Sequence, residues 1–362
     1  MHYNLPAMKS SSLVAAGVLF FTAGSVLASE GIAKAWTEIA PADSTLMGDY
    51  VGEWLDAPKG HYFEINKPLA AQVINVRPGV YFLRFNQEHD NRADPYFEGE
   101  GKLDGDVIRF EANGWKGEVS KEGLSGICGQ GDKPPIKFQL KKAVRSSPTL
   151  GAKPPSGAVV LFDGKNLDAW EHGGSRKASW RLLENGVMEV PTEKSDEERK
   201  QGIGGGIQTK QKFGDCKIHL EFRYPVEPGK AGQGRGNSGF FFQGDYEVQI
   251  LNSYGLEGRW NECGALYKTC PPKVNAARPP MEWQTYDIDY TASAWKDGKK
   301  VSSPRISVRL NGVLIHHDQE IEHVTAHAYA SRFNEPKGDG PICLQDHGNA
   351  IQFRNIWIVP GK

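Results

Sequence analysis

Between Cys216 and Tyr224 apolar and polar residues alternate without a break, with Ile218, Leu220, Phe222 and Tyr224 in one set and Lys217, His219, Glu221 and Arg223 in the other. A period of two puts the sets on opposite faces of the backbone, so the segment predicts a strand with one buried and one wet face. Similar alternation flanks Asn185-Gly186 within Ser179 to Val190, and Asn311-Gly312 within Arg305 to His317. Asn-Gly readily takes the left-handed backbone that tight hairpins need, so both pairs predict antiparallel turns. No segment sustains a helical period beyond a few turns, and the charged run Glu193 to Gln201 reads as a solvated loop. Strands separated by Gly-rich and Pro-rich turns, without strand–helix–strand spacing, favour an all-β, two-sheet jelly-roll sandwich over an open α/β sheet.

At 362 residues the chain exceeds one ordinary core and suits two domains. The stretch SSPTLGAKPPSG, residues 146–157, has linker composition and separates residues 29–145 from residues 158–362. Upstream, Val73 to Phe85 reads as two strands around Arg77-Pro78-Gly79, and Asp104-Gly105 and Asn113-Gly114 as hairpin turns, giving a small antiparallel β domain. That domain carries no chemical constellation, and Trp54, Trp115 and Tyr62 are expected in its core. Residues 1–28 read as an export signal: Lys9 is basic, Leu13 to Leu27 is apolar, and Val26-Leu27-Ala28 resembles a cleavage site. The apolar run is shorter than the roughly 20 residues of a bilayer span, and no later segment is apolar enough, so no transmembrane segment is expected in the mature chain. Export, to a periplasm or beyond the cell, permits disulfides. Of the five cysteines, Cys263 and Cys270 are spaced to staple a loop.

Lys and Arg total 43 against 44 Asp and Glu, so no net field would draw the chain to nucleic acid or an anionic membrane. A neutral, polar ligand fits better. Nothing in the sequence specifies an oligomeric state.

Five blocks carry a specific likeness: LFDGKNLDAW (Leu161 to Trp170), GNSGFFFQGDYEVQILNSY (Gly236 to Tyr254), GALYKTCPPKVNA (Gly264 to Ala276), EWQTYDI (Glu282 to Ile288) and GPICLQDHGNAIQFRNIWI (Gly340 to Ile358). In order and spacing they resemble the 3-keto-disaccharide hydrolase family. The resemblance implies a concanavalin-like sandwich acting on a small saccharide oxidised at carbon 3, by cleaving 3-keto-glucosides as a 1,2-lyase and hydrating the resulting 3-keto-2-hydroxy-glucal. The domain before the linker lies outside it.

In Tyr246 to Leu251 the alternation groups Glu247 with Gln249. By spacing alone that face could be either the ligand face or the solvent face; with the resemblance, Glu247 becomes the first candidate acid or base and Gln249 its polar neighbour. The loop Gly232 to Gly239 offers Arg235 to a developing negative oxygen and Asn237 to a sugar hydroxyl, a flexible hairpin loop being the other reading. Asp346 and His347 precede the last strand, where a carboxylate can orient an imidazole base. Tyr267 and Lys268 are candidates for the pocket rim. His316, His317, His323 and His327 match no metal motif; no cofactor is indicated, though a hard divalent cation on Glu247 or Asp346 would be chemically compatible.

Looking onward from Glu247, the strand has Gln249 and Leu251 where a retaining glycosidase would place a second carboxylate about 5 Å away. A 3-keto sugar does not require that pair, because its ketone acidifies the carbon-2 hydrogen and one base with one oxyanion stabiliser suffices. Two other readings remain: a non-catalytic carbohydrate-binding module of the cell envelope, and an ordinary glycoside hydrolase with a carboxylate from elsewhere.

Overall fold

The computed structural model describes residues 46–361 apart from 78, 89–94, 130, 132, 145, 193–199, 201–204, 226, 228–231 and 326–334. The export signal, most of the charged run from residue 193, and His327 lie outside the described residues. No described helix is long and apolar enough to cross a membrane.

Eight strands come first: β1 (Gly48–Trp54), β2 (Pro68–Arg77), β3 (Val80–Asn86), β4 (Phe97–Asp104), β5 (Val107–Ala112), β6 (Trp115–Ser120), β7 (Gly123–Cys128) and β8 (Ile136–Ala143). Each pairs antiparallel with the next, and β1 pairs with β8, closing an up-and-down barrel. Eight strands leave an interior that side chains can fill. Here Trp54, Phe85, Phe97, Phe110, Trp115 and Phe138 fill it, with ring centroids mostly 5 to 6 Å apart. Gly117 faces Gly126 across the β6–β7 pair, and the rings of Phe110 and Phe138 occupy the room their missing Cβ atoms leave. A one-turn helix, α1 (Tyr62–Ile65), sets Phe63 flat on Trp54 at 3.9 Å. Trp54 and Trp115 are core residues as expected, whereas Tyr62 is 53% exposed because α1 turns it outward.

The sandwich follows. One sheet has the order β11 (Arg176–Lys177), β10 (Trp170–His172), β14 (Ile207–Thr209), β23 (Cys343–Leu344), β16 (Ser238–Phe242), β17 (Tyr246–Ile250). The other runs β12 (Arg181–Leu183), β13 (Val187–Glu189), β24 (Gln352–Pro360), β15 (Cys216–Arg223), β18 (Gln284–Thr291), β21 (Arg305–Leu310), β22 (Val313–Glu320), with β9 (Val159–Phe162) also on β24. The core between them takes the alternate apolar residues, including Leu220, Phe222, Phe240, Phe242, Val248, Ile250 and Tyr286. Asn311 and Gly312 have φ of 54° and 83°, the left-handed turn expected of the β21–β22 hairpin. A separate ribbon pairs β19 (Ala294–Lys296) with β20 (Lys299–Ser302).

The outer face of the larger sheet is not wet throughout, because the connecting segment lies on it. The Ser147 and Thr285 hydroxyls sit 2.6 Å apart, Thr149 donates to Asp287 at 2.5 Å, Gly151 N–H donates to Glu221 at 2.6 Å, and the Ala152 carbonyl accepts from Asn355 and Trp357. His219 and Glu221, expected on the wet face, are consequently fully buried. His219 Nδ1 lies 2.7 Å from Asp287, its ring stacks on Trp357, and Glu221 accepts from Arg354 at 2.6 Å. A β-bulge at this point on β24 puts Asn355 at φ 47° and turns its amide to Glu221.

Hydrogen bonds tie the barrel to the sandwich. Arg84, paired with Glu98, donates to the Gly255 carbonyl at 2.9 Å, and the Tyr254 hydroxyl donates to Asp49 at 3.3 Å. A Cβ on Gly255 would stand 2.3 Å from the Ile74 side chain. The proposed Cys263–Cys270 bridge is absent: the Cys263 thiol is buried 3.4 Å from the Tyr286 hydroxyl, while Cys270 Sγ is directed to the Pro271 carbonyl.

Burial opposes ionisation of Glu221, but hydrogen bonds from His219, Asn355, Gly151 and Arg354 outweigh it and hold its carboxyl at about 2. Burial likewise opposes the His219 cation, and Asp287 and Glu221 reverse that. A depressed carboxyl contributes stability that is present above its unfolded value and lost as pH falls through its folded one. Glu221→Ala should therefore cost roughly 3–5 kcal/mol by urea unfolding near pH 6, by removing the shared partner of buried His219 and half-buried Arg354. The difference from wild type should shrink as pH falls from 5 towards 2.

Candidate active site

A cavity of about 680 Å³ opens on the outer face of the smaller sheet, within the usual range for small-molecule sites. Alternation decides which side chains reach it. On β17, Tyr246, Val248 and Ile250 enter the core while Glu247 and Gln249 line the cavity; on β16, Phe240 and Phe242 enter the core while Phe241 lines it; β14 contributes Gln208.

Glu247 is 3% exposed. Its backbone N–H donates to the Thr325 hydroxyl at 2.9 Å and its carbonyl accepts from Tyr267 at 3.2 Å. Gly239 on β16 makes room for the carboxyl, since a Cβ there would stand 2.3 Å from Glu247 Oε1. Burial pushes the carboxyl up from 4.5 to about 8, with the Lys268 charge opposing the rise. At neutral pH Glu247 carries its proton.

The neighbouring amides are tied together. Gln249 donates to Gln233 Oε1 at 3.0 Å and accepts from Ile250 N–H at 3.0 Å, while Asn237 Nδ2 donates to the Gln233 carbonyl at 2.6 Å. This leaves Asn237 Oδ1 buried without a hydrogen-bond partner among the described residues, an acceptor for a ligand hydroxyl.

The loop after β23 brings Asp346 and exposed His347 to the cavity wall. The two Asp346 oxygens accept Gly205 N–H at 2.8 Å and Gly348 N–H at 2.9 Å, so this carboxylate fixes the loop that presents His347. β17 and β23 are separated by β16, which sets the two sides of the cavity on the order of 10 Å apart. Tyr267 lines the cavity, and Lys268 Nζ lies 5.7 Å from its ring.

Arg235 is placed elsewhere than the sequence suggested. It is 1% exposed, outside the cavity wall, and its guanidinium donates to the Asn252 carbonyl, with Nε at 2.9 Å. Burial lowers it to about 10. The cavity wall also includes Asp245, Gln208, Gln233 and Thr325, none of which the sequence had singled out. Asp245, in the turn two residues before Glu247, is a second carboxyl-bearing residue that lines the same cavity. His316 is buried and directs Nε2 to the Gly264 carbonyl at 2.7 Å, whereas His317 and His323 are exposed. No cluster of three metal-binding side chains occurs among the described residues.

Residues 157–359 match the family described as the 3-keto-alpha-glucoside-1,2-lyase-like domain, which leaves the barrel outside the match. No curated protein matches the chain. The solved structure of a candidate glycosyl hydrolase from Parabacteroides distasonis is 40% identical, with 57% of this chain and 85% of that one covered and a TM-score of 0.50. A second candidate glycosyl hydrolase from that organism is 22% identical, with 57% and 95% covered and a TM-score of 0.39.

A carboxyl raised in the folded state destabilises it as pH rises from its unfolded value to its folded one, because only the unfolded chain ionises. Glu247→Gln removes that slope. The variant should gain on the order of 3–5 kcal/mol over wild type between pH 5 and pH 8 in urea unfolding. A constant difference across that range would mean an ordinary, solvated carboxyl.

Proposed function

Because the chain belongs to the family of 3-keto-alpha-glucoside-1,2-lyase-like domains, we propose that it is an exported carbohydrate-active enzyme that cleaves 3-keto-glycosides in this cavity. The observation that carries the reading is a buried Glu247, its carboxyl raised by desolvation, lining the same polar cavity as His347. The leader-like residues 1–28 support export.

A 3-keto sugar has an acidified hydrogen on carbon 2. His347, exposed at one wall, takes that proton as base. The freed electron pair forms the carbon-1–carbon-2 double bond, and the carbon-1–oxygen bond breaks. The Glu247 proton passes to the departing oxygen, which leaves as an alcohol. In an α-glucoside the carbon-2 hydrogen and the leaving oxygen point to opposite faces of the ring, so elimination needs a base and an acid on separate walls. We assign those two roles to Glu247, on β17, and His347, beyond β23. Asn237 Oδ1 takes a ring hydroxyl, and the cavity amides replace Arg235 as donors to the enolate oxygen. Adding water across the double bond, with hydroxide at carbon 1 and hydrogen at carbon 2, completes net hydrolysis.

Asp245 beside Glu247 supports a second reading. It lies in the turn before β17 and lines the same cavity, which makes it the candidate second carboxylate for glycoside hydrolysis by a pair. Turnover in D2O separates the two. A 3-keto-disaccharide such as 3-keto-trehalose should yield 3-keto-glucose carrying one deuteron at carbon 2, whereas displacement at carbon 1 leaves that position unlabelled.

The pH profile tests the role of Glu247. With the proton required for departure, kcat/KM should fall above about pH 8 as the carboxyl ionises. Glu247→Gln should lose roughly 10²–10⁴-fold in kcat. A rate that continues to rise through pH 9 would make Glu247 the base instead.

A further inference from the structure

Beyond the cavity wall the rim holds one exposed indole. Trp260 is 46% exposed, and its ring stands edge-on to Tyr267 with centroids 5.9 Å apart and planes at 63°. Tyr267 itself lines the cavity, so Trp260 is one ring further out.

The indole sits on rigid backbone. The Glu262 carboxylate accepts Gly258 N–H at 2.5 Å and Arg259 N–H at 2.9 Å, and Glu262 N–H returns to the Arg259 carbonyl. Lys268 N–H donates to the Trp260 carbonyl at 3.1 Å, and Gln233, from the cavity wall, donates to the Asn261 carbonyl at 2.8 Å. An aromatic face held this way loses little freedom when a ligand covers it. A lone exposed tryptophan needs no explanation by itself; one on braced backbone, half exposed and in contact with a ring that lines a sugar-sized cavity, can anchor a flat ligand with an apolar side. A pyranose ring presents such a side through its axial C–H groups.

We propose that Trp260 is the stacking platform for the second ring of a 3-keto-disaccharide, the ring that leaves, while the oxidised ring occupies the cavity. This rests on the reading of the cavity as a 3-keto-glycoside site. Trp260 then confers preference for a sugar aglycone over a small one, and does not touch the reacting atoms.

The experiment compares wild type, Trp260→Ala and Trp260→Phe on 3-keto-trehalose, on methyl 3-keto-α-glucoside and on 3-keto-2-hydroxy-glucal. For Trp260→Ala, KM on the disaccharide should rise about tenfold with little change in kcat, the loss of one aromatic contact. The methyl glycoside and the glucal, which lack a second ring, should turn over as in wild type, and Trp260→Phe should restore most of the disaccharide KM. An unchanged disaccharide KM, or an equal loss on all three compounds, overturns the platform while the 3-keto reading stands. If wild type turns over none of the three, the 3-keto reading itself fails.

Discussion

The site depends on keeping water away from one carboxyl. β17 alone would expose Glu247, because its face of the strand points away from the core. Instead, Tyr267 donates to the Glu247 carbonyl, Thr325 accepts its N–H, and Gly239 leaves the hollow into which the carboxyl fits. Desolvation then opposes the charged form and supplies a proton at neutral pH. The same arrangement works against folding, since a dry ionisable group lowers stability wherever the unfolded chain can ionise. The raised carboxyl and its structural cost have a single origin here.

Loops, rather than the sheet, build the enclosure. The segment from Gly264 to Cys270 runs against β17, with Gly264 N–H and Gln249 N–H each finding a carbonyl across the gap, and a tight turn from Leu266 to Cys270 places Lys268 at φ 61°. Gln233 joins this wall to the rim by bonding both Gln249 and the Asn261 carbonyl. Polar groups on the cavity floor therefore satisfy one another, and Asn237 Oδ1 is left for a ligand.

Much of this was legible because a strand exposes its chemistry at a fixed period. Alternation grouped Glu247 with Gln249, and the order of blocks brought Tyr267, Asp346 and His347 to the same cavity. The failures have equally local causes. Asp245 follows the same period backwards from Glu247, but it sits in a turn and was passed over. Arg235 stands in a Gly-rich loop whose direction no periodicity fixes; the loop folds its guanidinium inward to the Asn252 carbonyl. The segment 146–157 has the composition of a tether, yet Ser147, Thr149 and Gly151 find partners on β15 and β18 that composition cannot reveal. Without that cover, His219 and Glu221 would lie in solvent as their strand pattern implied. The barrel's strands were foreseeable one by one, whereas its closure depends on β1 meeting β8 across the whole domain, a contact of long sequence separation.

The two attachments of the barrel lead to different parts of the sandwich. The covering segment reaches the larger sheet, through the buried His219 and Glu221 and the half-buried Asp287, on the side remote from the cavity. Arg84 and Asp49 reach Gly255 and Tyr254, at the start of the loop that continues through Gly258 and Glu262 to the rim. Glu247 depends on neither, since its supports are Gly239, Thr325 and Tyr267. The barrel thus touches the start of the loop that carries the rim, and not the residues that enclose Glu247. That separation fits a sandwich whose family match begins only after the barrel ends.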